Sequence, residues 1–432
     1  MAIKMNVRRA LFRRLSCLLL SSALFAPAAA HSQIAASRPG ALLLGFRDVR
    51  ASARARAALP SAVVIEAEIA PGSFAVRVPI GAEQRYLARL ADLPGVAYVQ
   101  LDHRVAAQAL PDDPQIPEQW NMARIGMPAA WDVITDTAAL VIATLDSGVK
   151  RDHPDLQGQL WHNIAEIPNN DRDDDQNGFV DDRDGWHFYH VVSGGQLTPG
   201  QNADVEDDNG HGTHVAGVIA AAGNNAIGVA GIAWHTRLMP VRVLDSDGLG
   251  WESDIIQGLS YATANGARVI NMSLGLSEAS PALAAAVAQA ARQGVLLVAA
   301  AGNNGGAVLY PAAYPTVLSV GASDQADRRA SFSAQGARLD LLAPGVDILS
   351  TWNGVPYVLR SGTSMAAPHV AGVAALLMAH MPGLSVAQVR TCLLRSATDL
   401  GAPGWDAQTG WGRLNAAHAL QGCPPSIYLP IM

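Results

Sequence analysis

Five near-continuous apolar runs, "ALVIATLDSG", "RLMPVRVLD", "ARVINMSLG", "GVLLVAAAGN" and "TVLSVGAS", recur through the later part of the chain. A strand that alternates apolar and polar residues buries one face. A run that is apolar at every position buries both, as a parallel strand does when helices cover each side. Helix-length segments, "HVAGVIAAAG", "SDIIQGLSYATAN" and "PALAAAVAQAARQG", stand between the runs. From about Gln119 the chain therefore reads as α/β, a doubly wound, mostly parallel sheet with helices on both faces. Ligands of such sheets bind beyond the carboxyl ends of the strands. Those ends carry Asp146, the loop Ser273-Leu274-Gly275 and Asn303, so polar and glycine residues gather at one edge.

Upstream, residues 38–105 read as a separate small α+β unit. "ALLLGF", "VVIEAEI", "SFAVRVP" and "VAYVQLD" have strand character, while an Arg/Ala stretch and "EQRYLARLADL" have helical character. The order β-α-β-β-α-β is that of a ferredoxin-like unit. Before it, Lys4, Arg8, Arg9, Arg13 and Arg14 precede the apolar stretch "LSCLLLSSALFA" and the small-residue end "PAAA". This is the pattern of a secretory signal peptide, residues 1–30, cut after Ala30; its apolar part is too short for a membrane span.

The chain has 432 residues, half of them hydrophobic, enough for a large core divided among two or three units. Residues 106–432 hold 16 basic against 31 acidic residues, and Lys150 is the one lysine after the signal. Such a surface disfavours nucleic acid and anionic membrane and suits cation binding. Cys17 leaves with the signal. Cys392 and Cys423 remain, and an oxidising compartment permits a disulfide between them or two unlinked thiols.

Ser364 stands where the all-round apolar run Met365 to Met378 begins, a run that reads as a buried helix. An alcohol is a weak nucleophile until a base takes its proton, and the base needs a third group to orient it. Asp146 follows an apolar strand in "TLDSG", and His211 opens a small-residue helix in "DNGHGTHVAG". The order Asp, His, Ser within "TLDSG", "HGTHVAG" and "GTSMAAPH" resembles the subtilisin-like serine proteases over residues 111–420. The resemblance implies that Asp146 orients the imidazole, His211 is the general base and Ser364 attacks the scissile carbonyl. It makes Asn303, with the Ser364 backbone N–H, the oxyanion donor, and leaves His214 and His369 structural. The alternative is a catalytically silent binding or scaffold protein of the same fold, which would be expected to lack a triad member or the oxyanion Asn; none is missing here.

The same resemblance places an extended polypeptide substrate between "GLG", Gly248, Leu249 and Gly250, and "SLG", Ser273, Leu274 and Gly275. Near the first pocket stand Ala300, Ala301, Gly302 and Asn304 with no acidic residue, against a preference for basic side chains. Leu309 stands where many relatives have glycine, and is expected to shorten that pocket.

"DRDDDQNGFVDDRDGW" is dense in oxygen ligands. Counted from Asp173, the offsets Asp173, Asp175, Asn177, Asp181 and Asp184 resemble an EF-hand calcium loop, with Gly178 at the turn. A second calcium site is implied by the resemblance, from Asp155, the Asn225 side chain and the carbonyls of Ile227 and Val229, with Asp113 nearby. The expectation is a secreted, calcium-stabilised, monomeric endopeptidase without organic cofactor. Its propeptide, residues 31–110, would act as an intramolecular inhibitor and be removed near residues 104–111. A short tail, 421–432, ends the chain.

Overall fold

The computed structural model describes residues 37–47, 56, 58–103, 110–193 and 196–423. The signal segment, residues 104–109 of the expected processing region 104–111 and the tail beyond residue 423 lie outside the described residues, as does most of the Arg/Ala helix expected after "ALLLGF".

The small N-terminal sheet consists of β1 (Ser37–Phe46), β2 (Val64–Ala70), β3 (Ser73–Arg77) and β4 (Val96–His103), with α1 (Glu83–Ala91) between the last two. Its order is β2-β3-β1-β4 with every pair antiparallel, the expected ferredoxin-like arrangement. Leu42, Leu44, Phe74, Val76 and Leu90 fill a core of its own.

The large sheet has β5 (Asp136–Asp146), the hairpin β6 (Trp186–Ser193) and β7 (Gln196–Asn202), β8 (His235–Arg242), β9 (Ala267–Met272), β10 (Leu296–Ala300), β11 (Val317–Ser323) and β12 (Leu341–Pro344). Its order is β12-β11-β10-β9-β5-β8-β6-β7, parallel throughout except for β7. All five apolar runs became strands of this sheet. The pleat explains why they are apolar at every position: Ile142, Leu238, Val269 and Val298 face one core, and Leu145, Met239, Ile270 and Leu297 face the other. Three helices were expected and found, α4 (His211–Ala220), α5 (Glu252–Ala264) and α6 (Pro281–Arg292), following the short α2 (Trp120–Arg124) and α3 (Met127–Trp131).

The buried run after Ser364 forms α7 (Thr363–His380) and lies in the first core, with α8 (Val386–Ser396) and α9 (Ala416–Gly422) beyond it. Cys392 in α8 and Cys423 after α9 are joined by a disulfide with Cα atoms 5.8 Å apart. A second hairpin, β13 (Ile348–Thr351) and β14 (Tyr357–Arg360), leads into α7. Among the described residues, no helix is long and apolar enough to cross a membrane.

Register positions the functional edge. Asp146 at the end of β5 pairs with Arg242 of β8; its neighbour Leu145 pairs with Met272, which pairs with Ala299. The next residues of three adjacent parallel strands, Asp146, Ser273 and Ala300, therefore emerge side by side.

Candidate active site

Asp146 is 1 % exposed, and its Oδ1 accepts from the Ser147 N–H at 2.8 Å and from His211 Nδ1 at 2.7 Å. His211 is the first residue of α4, a helix packed so closely that a Cβ on Gly212 would overlap the Gly148 carbonyl. Burial pushes the imidazole pKa down, but the Asp146 carboxylate, its hydrogen bond and the charge of Asp207 outweigh it and leave the pKa above 6.5.

Asp207 was missed in the sequence. Its buried carboxylate accepts from the N–H groups of Asn209, Gly210 and Thr213 and from the hydroxyls of Ser147 and Thr213. It thus caps α4 and ties the His211 loop to the end of β5. An acidic residue four positions before a helix-opening histidine was the available signal.

Ser364 lies in the first turn of α7, where backbone N–H groups have no intrahelical acceptor. Its hydroxyl donates to the Ser273 carbonyl at 3.1 Å. Asn303 Oδ1 accepts from the Thr363 N–H at 2.8 Å and from the Thr363 hydroxyl at 3.0 Å. A backbone N–H can only donate, so the atom facing it is the amide oxygen, and the NH₂ end of Asn303 points away as a donor. A Cβ built on Gly362 would lie 3.5 Å from that Nδ2 and 3.7 Å from the Ser364 nitrogen. One point in space is therefore close to two donors, the arrangement an oxyanion needs.

A carboxylate–imidazole pair, a helix-start hydroxyl and two convergent donors thus lie along one sheet edge, and the comparisons with known proteins name the family. The subtilase family model matches residues 137–412. The chain belongs to the subtilase family. The subtilase is 40% identical over 312 residues to an alkaline protease of Alkalihalobacillus alcalophilus, covering 72% of this chain and 70% of that one. It is 42% identical over 284 residues to subtilisin Savinase of Lederbergia lenta, covering 66% and 92%. Among solved structures, a protease of Pseudoalteromonas arctica is similar with a TM-score of 0.60 at 30% identity, covering 73% of this chain and all of that one. The subtilase is a serine endopeptidase.

A groove of about 560 Å³ runs from Asn209 and His211 between Gly248–Gly250 and Ser273–Leu276. Both edges expected from the sequence line it, together with Leu244, Asp247, Glu252 and Ile255, which the sequence reading did not single out. Leu309 is wedged between two backbones: a Cβ on Gly302 would meet its Cγ at 2.7 Å, and one on Gly275 its Cβ at 3.3 Å. Its N–H is bonded to the Ala301 carbonyl.

His214 is held by backbone carbonyls, and His369 by one carbonyl and a side-chain amide. His214 Nε2 faces the carbonyls of Ile348 and Val358, and burial lowers its pKa to about 3. His369 bridges the Met365 carbonyl and Asn121 Nδ2, and burial lowers its pKa to about 4.

In the acidic loop, Glu166, Asp173 and Asp175 bring one oxygen each within 4.8 Å of one another. Glu166, outside the EF-hand offsets, was missed. Asp173 accepts from the N–H groups of Asn177 and Gly178, and Asn177 Nδ2 reaches Asp175 and Asp182. Asp181 instead accepts from the N–H groups of Asn170 and Asp171, and Asp184 pairs with Arg151 and His162. At the second site Asp155 Oδ1 faces Asn225 Nδ2 at 3.1 Å, and Oδ2 accepts from the Val229 N–H at 2.9 Å; Ile227 lies on the same loop. Asp113 and Asp155 are both buried, and one oxygen of Asp113 has no protein partner. Burial first, and then the charge of Asp155, raise the Asp113 pKa against its backbone hydrogen bonds. Two neighbouring buried carboxylates fit a hard cation with oxygen ligands.

Proposed function

We propose that this subtilase hydrolyses internal peptide bonds with Asp146, His211 and Ser364 as its catalytic groups. The observation that carries the reading is the 2.7 Å bond from His211 Nδ1 to the buried Asp146 carboxylate at the sheet edge. With Nδ1–H donating to Asp146, the neutral ring keeps its lone pair on Nε2. The Ser364 hydroxyl turns from the Ser273 carbonyl to the substrate, its proton passes to Nε2, and an Oγ–C bond forms. The carbonyl electron pair moves to oxygen, where Asn303 Nδ2 and the Ser364 N–H receive it. Collapse expels the amine, which takes the proton from His211 and leaves an acyl-enzyme. Water, deprotonated by His211, then releases the acid and restores Ser364.

The substrate is an extended polypeptide that pairs with Gly248–Gly250 and Ser273–Gly275 as an added strand. Leu309 shortens the pocket beside Ala301 and Gly302, so small or medium apolar side chains are preferred before the scissile bond. Structural calcium would be held by Asp173, Asp175 and Glu166, and by Asp155, Asn225 and the Ile227–Val229 loop with Asp113; it would supply charge neutralisation that fixes two surface loops. The chain is made as a secreted monomeric zymogen with signal 1–30 and propeptide 31–110, and matures by self-cleavage near 104–111.

The test is expression of the full chain and of Ser364→Ala, with prosegment removal read by mass spectrometry and casein hydrolysis measured with and without chelator. Maturation and hydrolysis by the wild type alone support the reading. A mutant that matures by itself and retains hydrolysis overturns it.

A further inference from the structure

Arg360 ends β14, four residues before Ser364. Its side chain is exposed, its guanidinium lies 4.3 Å from the centre of the Trp352 ring, and no carboxylate pairs with it among the described residues. An unpaired arginine is notable where acidic residues outnumber basic ones 31 to 16 after residue 105. Stacking on an indole restricts the guanidinium while its N–H fork stays open at the ring edge.

Trp352 packs against Gly210, the residue before His211, so closely that a Cβ there would overlap the indole. The charge of Arg360 also acts on His211 and His214. The Trp352 ring therefore links a held cation to Gly210, the residue before the imidazole. The groove bounded by Gly248–Gly250 and Ser273–Leu276 includes His211 but neither Arg360 nor Trp352. Arg360 and Trp352 thus stand next to the segments that carry Ser364 and His211 but outside the groove proposed for the upstream part of the substrate.

We infer that Arg360, held by Trp352, recognises a substrate carboxylate on the leaving side, an Asp or Glu one or two residues beyond the scissile bond. The inference rests on the serine-protease reading above and adds a downstream preference to it. No bond is made or broken in this contact; it is a charge-assisted hydrogen bond formed as the substrate docks.

The test uses mature enzyme and fluorogenic peptides that are identical upstream and carry Asp, Gln or Lys at the first or second downstream position. Wild type is expected to favour Asp over Lys in kcat/KM by about tenfold at low salt, with the ratio shrinking in about 1 M salt. Arg360→Gln removes the preference and Arg360→Glu inverts it. A purely structural role for Arg360 would lower both rates together and keep their ratio. An Asp-to-Lys ratio that is unchanged in both variants overturns the inference. Cleavage of no peptide by mature wild type, even of an amide without downstream residues, overturns the protease reading itself, and this inference with it.

Discussion

The Ser273 hydroxyl donates to the Ser364 carbonyl at 2.8 Å, while the Ser364 hydroxyl donates to the Ser273 carbonyl at 3.1 Å. The first of these bonds has a cause inside α7. In a regular helix the Ser364 carbonyl would accept from the N–H of residue 368, but that residue is Pro368 and has none. Ser273, emerging from β9, supplies the missing donor and thereby fixes the helix start to the sheet edge. In a Ser364→Ala background, which prevents self-digestion, Ser273→Ala is expected to cost about 1 kcal/mol, because a part-buried carbonyl loses its partner. Pro368→Ala restores a donor, so the double mutant should lose less than the two singles together. Thermal melting of the four chains measures the cycle, and strict additivity would refute the coupling.

Gly362→Ala isolates the proposed oxyanion site. The backbone there is extended, with φ 162°, so alanine fits without strain. Its Cβ would nevertheless lie beside both Asn303 Nδ2 and the Ser364 nitrogen. Turnover should fall by roughly a hundredfold or more, as for loss of an oxyanion donor, with the melting temperature nearly unchanged. Steady-state kinetics and melting on the same preparation check both halves.

With His211 as the proposed base, its raised pKa should set the acid limb of activity. Below that pKa the ring is protonated and cannot act as base, so kcat/KM should fall as pH drops through a value above 6.5. Asp146→Asn removes the stabilising charge and leaves burial to dominate, which moves the limb to lower pH. It should also reduce kcat by about ten-thousandfold. Arg360→Gln removes an opposing positive charge and should move the limb upward. pH–rate profiles of the three proteins test the signs.

Calcium should reverse the effect of one substitution. Without metal, Asp113→Asn relieves repulsion between two buried carboxylates, so the variant should melt no lower than wild type in chelator. With calcium it loses a ligand charge, so the gain in melting temperature on adding the ion should shrink. Equal gains for both proteins would remove Asp113 from the site.

Leu309→Gly should open the space between Gly275 and Gly302. Wild type is expected to favour small or medium apolar residues before the scissile bond, and the variant to gain on phenylalanine. A peptide library scan reads this directly; a wild-type preference for large aromatics would reject the role given to Leu309.

The strands were legible because burial on both faces left no polar position in the cores of "ALVIATLDSG" and "GVLLVAAAGN" beyond a lone threonine. The β6–β7 hairpin was not, because "QLTPGQN" carries proline and glycine and shows no alternation. The acidic loop was visible as a cluster of carboxylates, yet spacing alone recruited Asp184, which turns to Arg151 and His162, and overlooked Glu166, which closes the cluster from outside the counted offsets. Motif resemblance singled out Asp146, His211, Ser364 and Asn303. It did not reach Asp207, whose bonds cap a helix and carry no motif of their own.

By itself the sequence determined the order of elements, their burial and the residue types at the sheet edge, because helix and strand periods are written locally. Only the tertiary structure decided which of those residues meet: Asp146 with His211 across 65 positions, and Ser273 with Ser364 across 91. Apolar periodicity records that a face is covered without recording by what. The partner is chosen when β5, β9 and β10 settle into one register and α7 packs across them.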